Sequence, residues 1–133
     1  MAKRSVHRWE RLKGVHPDLD AAVRRIIAAL LAEGHVAVIT QGVRTASQQA
    51  ALYALGRTRP GKVVTNCDGT RKKSNHQIKP DGFGHAVDLA WHDGHTITWE
   101  GPWDLLGKLA TAENLIWGGL WSRFPDRPHL ELR

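Results

Sequence analysis

Two histidines and two aspartates, with the distances between them, are the part of this chain that can do chemistry. His76 comes first, Asp88 ends an apolar run twelve positions later, and His129 follows about forty residues on, with Asp126 three positions before it. Two imidazoles and one carboxylate can hold Zn²⁺ and leave a fourth tetrahedral position open, and a spare acid beside them can move a proton. With eight histidines in the chain, residue types alone leave other triples open. Local geometry narrows the choice.

Side chains alternate faces along a strand. If residues 84–90 are extended, Gly84, Ala86, Asp88 and Ala90 share one face, while His85, Val87 and Leu89 share the other. The small neighbours leave room beside Asp88, and the parity sets His85 apart from it. His129 and Glu131 share a face in the same way, with Leu130 and Leu132 opposite. Glu131 is therefore placed either to orient a ligand or substrate group or to sit on the surface.

The elements that must position these residues can be read from periodicity. Pro17 and Asp18 start a helix carrying Leu19, Val23, Ile26, Ile27 and Leu30 at helical spacing, and Gly34 suits its stop. Val36 to Thr40 reads as a strand. Thr45 and Gln48 form a capping-box pattern for a helix running from Ala46 to Leu55. Arg44 falls between that strand and that helix, where a side chain can aim into a cleft or lie on the surface. Residues 56–73 are irregular, with a small strand expected at Val63–Thr65. Phe83 to Trp91 reads as a strand returning through Asp93-Gly94 to a hairpin partner at His95–Trp99. Pro102 opens a helix ending near Glu113, and strands are expected at Leu115–Trp117 and Pro128–Leu132. Helices first and hairpin strands later give an α+β fold, a small antiparallel sheet with helices packed on it.

A chain of 133 residues fits one domain, taken as residues 1–133, with residues 1–14 expected as a loosely ordered basic arm that Trp9 and Leu12 pin to the body. No apolar run reaches the roughly 18 residues of a membrane span. The N-terminus has no apolar segment like that of a secretory signal. Synthesis in the cytoplasm is expected, with passage across the inner membrane supplied by another agent. Cys67 has no partner for an intramolecular disulfide and reads as incidental. The formal charge of +6 favours polyanions, either nucleic acid or an anionic cell envelope.

Several ordered motifs together resemble the M15 peptidases, the D,D-carboxypeptidases and L-alanyl-D-glutamate endopeptidases of bacterial peptidoglycan. They are Gly42-Val43-Arg44-Thr45, Gln49, Leu52 to Gly61, Val64-Thr65, Ser74-x-His76, Gly84-x-Ala86-x-Asp88, Trp117 to Trp121, and Asp126-x-x-His129-x-Glu131. The resemblance spans about Val15 to Leu132. It implies a D,D-peptidase-like (hedgehog-type) zinc peptidase fold and one Zn²⁺ held by His76, Asp88 and His129. It implies Asp126 as general base and Arg44 as oxyanion stabiliser. Ser74 would lie in the substrate cleft, and Gln49 would be structural or substrate-supporting. A monomeric, single-domain phage endolysin cutting the L-Ala–D-Glu bond of the stem peptide is the expectation, its basic surface helping to hold the envelope. A D-Ala-D-Ala carboxypeptidase or dipeptidase of the same fold is the alternative. A basic nucleic-acid-binding module is the alternative from another class.

The chain departs from the family pattern at one point. Eleven residues separate His76 from Asp88 where the usual spacing has six. The longer segment, Gln77 to Phe83, carries Pro80, Asp81 and Gly82 and reads as a projecting turn. It makes Asp81 and His85 formal competitors for the ligand role.

Overall fold

The computed structural model describes residues 5–133. Among them, α1 (Pro17–Ala32), β1 (Val36–Gln41), α2 (Ala46–Ala54), β2 (Ala86–His92), β3 (Ile97–Thr98), α3 (Trp103–Ala112), β4 (Ile116–Trp117) and β5 (His129–Glu131) follow in that order. The strands form one antiparallel sheet in the order β1-β2-β5-β4, with β3 paired to β2. The expected α+β class is borne out.

Helix α1 forms because its apolar residues recur along one side. Leu19, Ala22, Val23, Ile26, Ile27 and Leu30 are all buried, each large one contributing about 1.5–3 kcal/mol on leaving water. His16 caps its start by accepting from the Asp18 N–H, and Pro17 occupies the first turn. These residues meet Ile39, Val87, Leu89 and Leu130 of the sheet, with Leu106 and Ala110 of α3, in a continuous core. Val87, Leu89 and Trp91 thus face the core while Asp88 faces away from it, as strand alternation requires.

Helix α2 is different in kind. Thr45 and Gln48 complete the capping box, each side chain bonding the other's backbone. The helix buries only one residue, Gln49, so it is a polar element beside the cleft and not a core helix. Just before it, a bulge between Ile39 and Gln41 breaks the β1–β2 register. Such a bulge re-aims the strand that carries it, here sending Gly42, Val43 and Arg44 off the sheet edge.

Part of the expected N-terminal arm, Met1 to Arg4, lies outside the described residues. From Ser5 onward the chain is tied to the body. The Ile39 N–H donates to the His7 carbonyl at 2.9 Å, Arg11 Nη1 donates to the Ile39 carbonyl at 2.9 Å, and Leu12 is buried in the core. The Arg11 carbonyl lies so close to Gly42 that a Cβ there would sit 1.9 Å from its oxygen.

Val63–Thr65 is not a strand. The Thr65 carbonyl accepts from Arg57 Nη1 at 3.0 Å, and Thr65 Oγ1 accepts from the Cys67 N–H at 3.0 Å. Side chains and turns meet the hydrogen-bonding needs of this stretch without a neighbouring strand. The expected hairpin partner at His95–Trp99 shortens to β3, because Asp93 Oδ1 accepts from the His95 and Thr96 N–H groups and holds that stretch as a turn.

Candidate metal centre and cleft

Antiparallel pairing of β2 with β5 sets Asp88 opposite His129 and Ala86 opposite Glu131. Directly opposed side chains stand about 4.5–5.5 Å apart at Cβ, so one register brings the carboxylate and the imidazole together. His76 reaches them from the loop before β2. The three side chains can offer one ligand atom each, all within 4.8 Å of one another. Asp88 Oδ1 lies 3.4 Å from His76 Nε2 and 3.3 Å from His129 Nδ1.

The remaining nitrogens are already committed. His76 Nδ1 donates to the Gly42 carbonyl at 2.9 Å, and His129 Nε2 donates to Glu131 Oε1 at 2.7 Å. Each bond fixes one ring nitrogen and leaves the other facing Asp88. Glu131 is held in turn by Asn75, whose Nδ2 donates to Oε2 at 2.7 Å. Asp88 Oδ1 is buried and accepts no well-directed hydrogen bond. A buried carboxylate oxygen without a donor is costly, and a cation at the meeting point of these three atoms removes that cost. The donor set therefore fits a metal ion, and two imidazoles with a carboxylate suit zinc.

Charge in the cluster has identifiable causes. Burial pushes the Asp88 carboxyl up, but the imidazoles of His129 and His76 outweigh it and hold the group well below the usual carboxylate range. Burial lowers His129, yet Asp88 and Glu131 on either side of its ring raise it to about 9. In the metal-free protein this histidine is therefore charged at neutral pH. Its contribution to stability is complete below its ordinary value of 6.5 and is lost as pH rises through about 9. A metal must displace the Nδ1 proton, so its affinity changes in the opposite sense. Apparent affinity should rise about tenfold per pH unit below that value. Calorimetric metal titrations at several pH values, with proton release measured alongside, check the slope; a flat profile would place the metal elsewhere.

Asp126 Oδ2 lies 3.9 Å from His129 Nδ1, with its side chain 46% exposed. Partial burial and the nearby Asp88 charge raise its pKa above the ordinary carboxylate value, against the pull of His129, His76 and Arg44. In the metal-free protein it therefore holds a proton more tightly than a free aspartate. Its position depends on Gly118, whose carbonyl accepts from the Asp126 N–H at 2.8 Å. A Cβ at Gly118 would lie 2.4 Å from the Asp126 carbonyl oxygen, so only glycine allows this approach.

Arg44 enters from the other side, its Nη2 lying 3.9 Å from Asp88 Oδ2. Burial lowers its pKa, partly offset by Asp88 and Asp126, but a guanidinium stays charged. Arg44 Nη1 donates to Gln49 Oε1 at 2.7 Å. Gln49 is fully buried, and its Nε2 donates to the Cys67 carbonyl at 2.9 Å and to Thr65 Oγ1 at 3.3 Å. Gln49 therefore ties Arg44 to the loop at Thr65 and Cys67. Gln49→Leu should lower kcat about tenfold with KM and metal content nearly unchanged, and should cost about 1–3 kcal/mol of stability. Steady-state kinetics with metal analysis check this; a rise in KM at constant kcat would assign Gln49 to substrate binding.

Ser74, Asn75, Asp126 and Trp121 line a cleft of about 830 Å³ over the three ligand candidates. Ser74 Oγ accepts from the His76 N–H at 3.2 Å, so it also shapes the loop that carries His76. The Trp121 ring lies 4.9 Å from His129. The formal competitors are elsewhere: His85 Nε2 and Asp81 Oδ2 pair with each other at 2.6 Å. Asn75 and the Gly42 carbonyl escaped the sequence reading. A main-chain oxygen carries no residue-type signal, and nothing about an asparagine beside His76 marks it as a partner of Glu131.

Comparison with known proteins finds relatives in sequence and in fold. A family profile described as D-alanyl-D-alanine carboxypeptidase, of the M15 peptidases, matches residues 68–132. The peptidoglycan L-alanyl-D-glutamate endopeptidase CwlK of Bacillus subtilis is 32% identical over 130 residues, covering 89% of this chain and 73% of that protein. The L-alanyl-D-glutamate peptidase of Listeria phage A118 is 30% identical over 118 residues, covering 86% of this chain and 36% of that protein. Among solved structures, the L-Ala D-Glu endopeptidase ChiX of Serratia marcescens superimposes with a TM-score of 0.67 at 25% identity, covering 100% of this chain and 90% of that one. With a relative at this identity matched over most of both lengths, and with the motif residues gathered in one cleft, the chain belongs to the M15 peptidase family.

Proposed function

We propose that this protein is a zinc peptidase that hydrolyses the L-Ala–D-Glu bond of the peptidoglycan stem peptide. The convergence of His76 Nε2, Asp88 Oδ1 and His129 Nδ1 in one cleft carries the proposal, and the L-alanyl-D-glutamate endopeptidases among its relatives support the choice of bond. His76, Asp88 and His129 would hold one Zn²⁺. When bound, the ion supplies Lewis acidity, lowering the pKa of a water at its open position and polarising the scissile carbonyl.

The chain's own groups do the rest. Asp126 takes the proton of the attacking water at its carboxylate and later delivers it to the departing D-Glu amine. Arg44 directs its guanidinium at the carbonyl oxygen as negative charge develops there. Glu131, braced by Asn75, keeps His129 in the ring orientation that frees Nδ1. Ser74 stands at the cleft wall, where the peptide backbone would lie. The protein would act as a monomer on the wall side of the inner membrane, reached through a lesion made by another agent, with its positive surface favouring the anionic envelope. No described helix is long and apolar enough to cross a membrane. The nucleic-acid-binding alternative gains no support from the relatives.

Digestion of purified peptidoglycan, with and without chelator and read by mass spectrometry, tests the proposal. New L-Ala and D-Glu ends that vanish on chelation and return with Zn²⁺ are expected. Released D-alanine would instead assign the D-Ala-D-Ala terminus as substrate. No product under either condition would overturn the peptidase reading.

A further inference from the structure

The cleft carries cations that its chemistry does not use. Lys72, Lys73 and Arg123 line it together with Arg44, yet among the described residues the three side chains form no hydrogen bond or ion pair. The acids of the cleft are engaged elsewhere. Asp88 faces two imidazoles and Arg44, Glu131 takes donors from His129 and Asn75, and Asp126 faces His129.

The cations come from two separate segments of the chain. Lys73 stands three positions before His76, and Arg123 three positions before Asp126. The loop bearing the lysines is fixed in advance. Asp68 Oδ1 accepts from the N–H groups of Thr70, Arg71 and Lys72 at 2.9, 2.9 and 3.1 Å. The Gly69 carbonyl accepts from Gln77 Nε2 at 3.0 Å, which ties the same loop to the segment carrying His76. In the other segment, Phe124 holds a φ of 52°, an unfavourable conformation for a large side chain, immediately after Arg123.

A D-glutamyl residue joined through its amine has two carboxyl groups, and only one continues the chain. The other is free and negatively charged unless it is amidated, and it lies within a few bonds of the scissile amide. We propose that Lys72, Lys73 and Arg123 bind this free carboxylate and make the enzyme selective for stem peptides that are not amidated at D-Glu. The inference rests on the endopeptidase reading. Cations lining a cleft attract such a group and suffer little from mutual repulsion once it is bound. Being exposed, they act with the modest strength of surface pairs and lose it as salt rises.

The test compares two synthetic stem peptides, identical except that the free D-Glu carboxyl is amidated in one, using the zinc-loaded protein. The parent should cut the free-acid peptide with a kcat/KM about tenfold higher, through KM and not kcat, and the preference should shrink with added salt. The K72Q/K73Q/R123Q variant should cut both at equal kcat/KM, with unchanged zinc content and melting temperature, while K72R/K73R should keep the preference. Equal cleavage of both peptides by the parent, or an undiminished preference in the glutamine variant, would overturn the inference and leave the endopeptidase reading standing. Cleavage of neither peptide would overturn both.

Discussion

Asp126→Ala should bind Zn²⁺ as the parent does and hydrolyse peptidoglycan about 10²–10⁴-fold more slowly, the range spanned by a positioned general base. The two outcomes separate because Asp126 lies outside the trio of close donor atoms. Its Oδ2 stands 3.9 Å from His129 Nδ1, against 3.3 Å for Asp88 Oδ1. Its backbone anchors, to Gly118 and from the His129 N–H, do not involve the side chain, so truncation leaves the loop in place. Asp126→Asn keeps the volume and should be equally slow, which distinguishes lost proton transfer from lost shape. The acid limb that protonation of Asp126 gives the parent's kcat/KM profile should be absent from both variants. Zinc content by atomic absorption, with pH-dependent kinetics, checks the set. If the alanine variant loses its metal, Asp126 belongs among the ligands and another group must act as base.

His76→Ala should lose metal and activity together. Removing this imidazole takes away one of three donors and leaves the Gly42 carbonyl without its buried partner, a further loss of about 1–3 kcal/mol. The drop in metal affinity should exceed the roughly 10–100-fold that removing a supporting group such as Glu131 costs. Equilibrium dialysis against a competing chelator measures both variants on one scale. A His76→Ala protein that binds zinc like the parent would sink the assignment.

The site was legible in the sequence chiefly through the resemblance of its ordered motifs, which implied His76, Asp126 and Arg44, and strand parity added the faces of two residues. Asp88 and His129 could each be assigned a face from their neighbours, and pairing of β2 with β5 needs only the correct register to join them. The capping box at Thr45 and Gln48 was equally local, and so was the apolar stripe of α1. What failed was non-local. Val63–Thr65 has strand-forming residues, but whether they pair depends on what lies beside them, and there the partners are Arg57 and the turn at Cys67. The sheet order, the burial of Gln49 under Arg44 and the bracing of Glu131 by Asn75 all depend on distant segments meeting. The longer Gln77–Phe83 segment resolved itself locally, since its Asp81 turns back to His85.

The contact between the Arg11 carbonyl and Gly42 decides where this protein can be trimmed. Gly42 presents its own carbonyl to His76, so the segment ending at Leu12 buttresses a candidate metal ligand far from it in sequence. A proteolytic nick or truncation that removes Trp9–Leu12 uncovers Ile39 and frees the chain at Gly42 to shift. The earliest symptom would then be weakened metal retention, while helix content stays nearly whole.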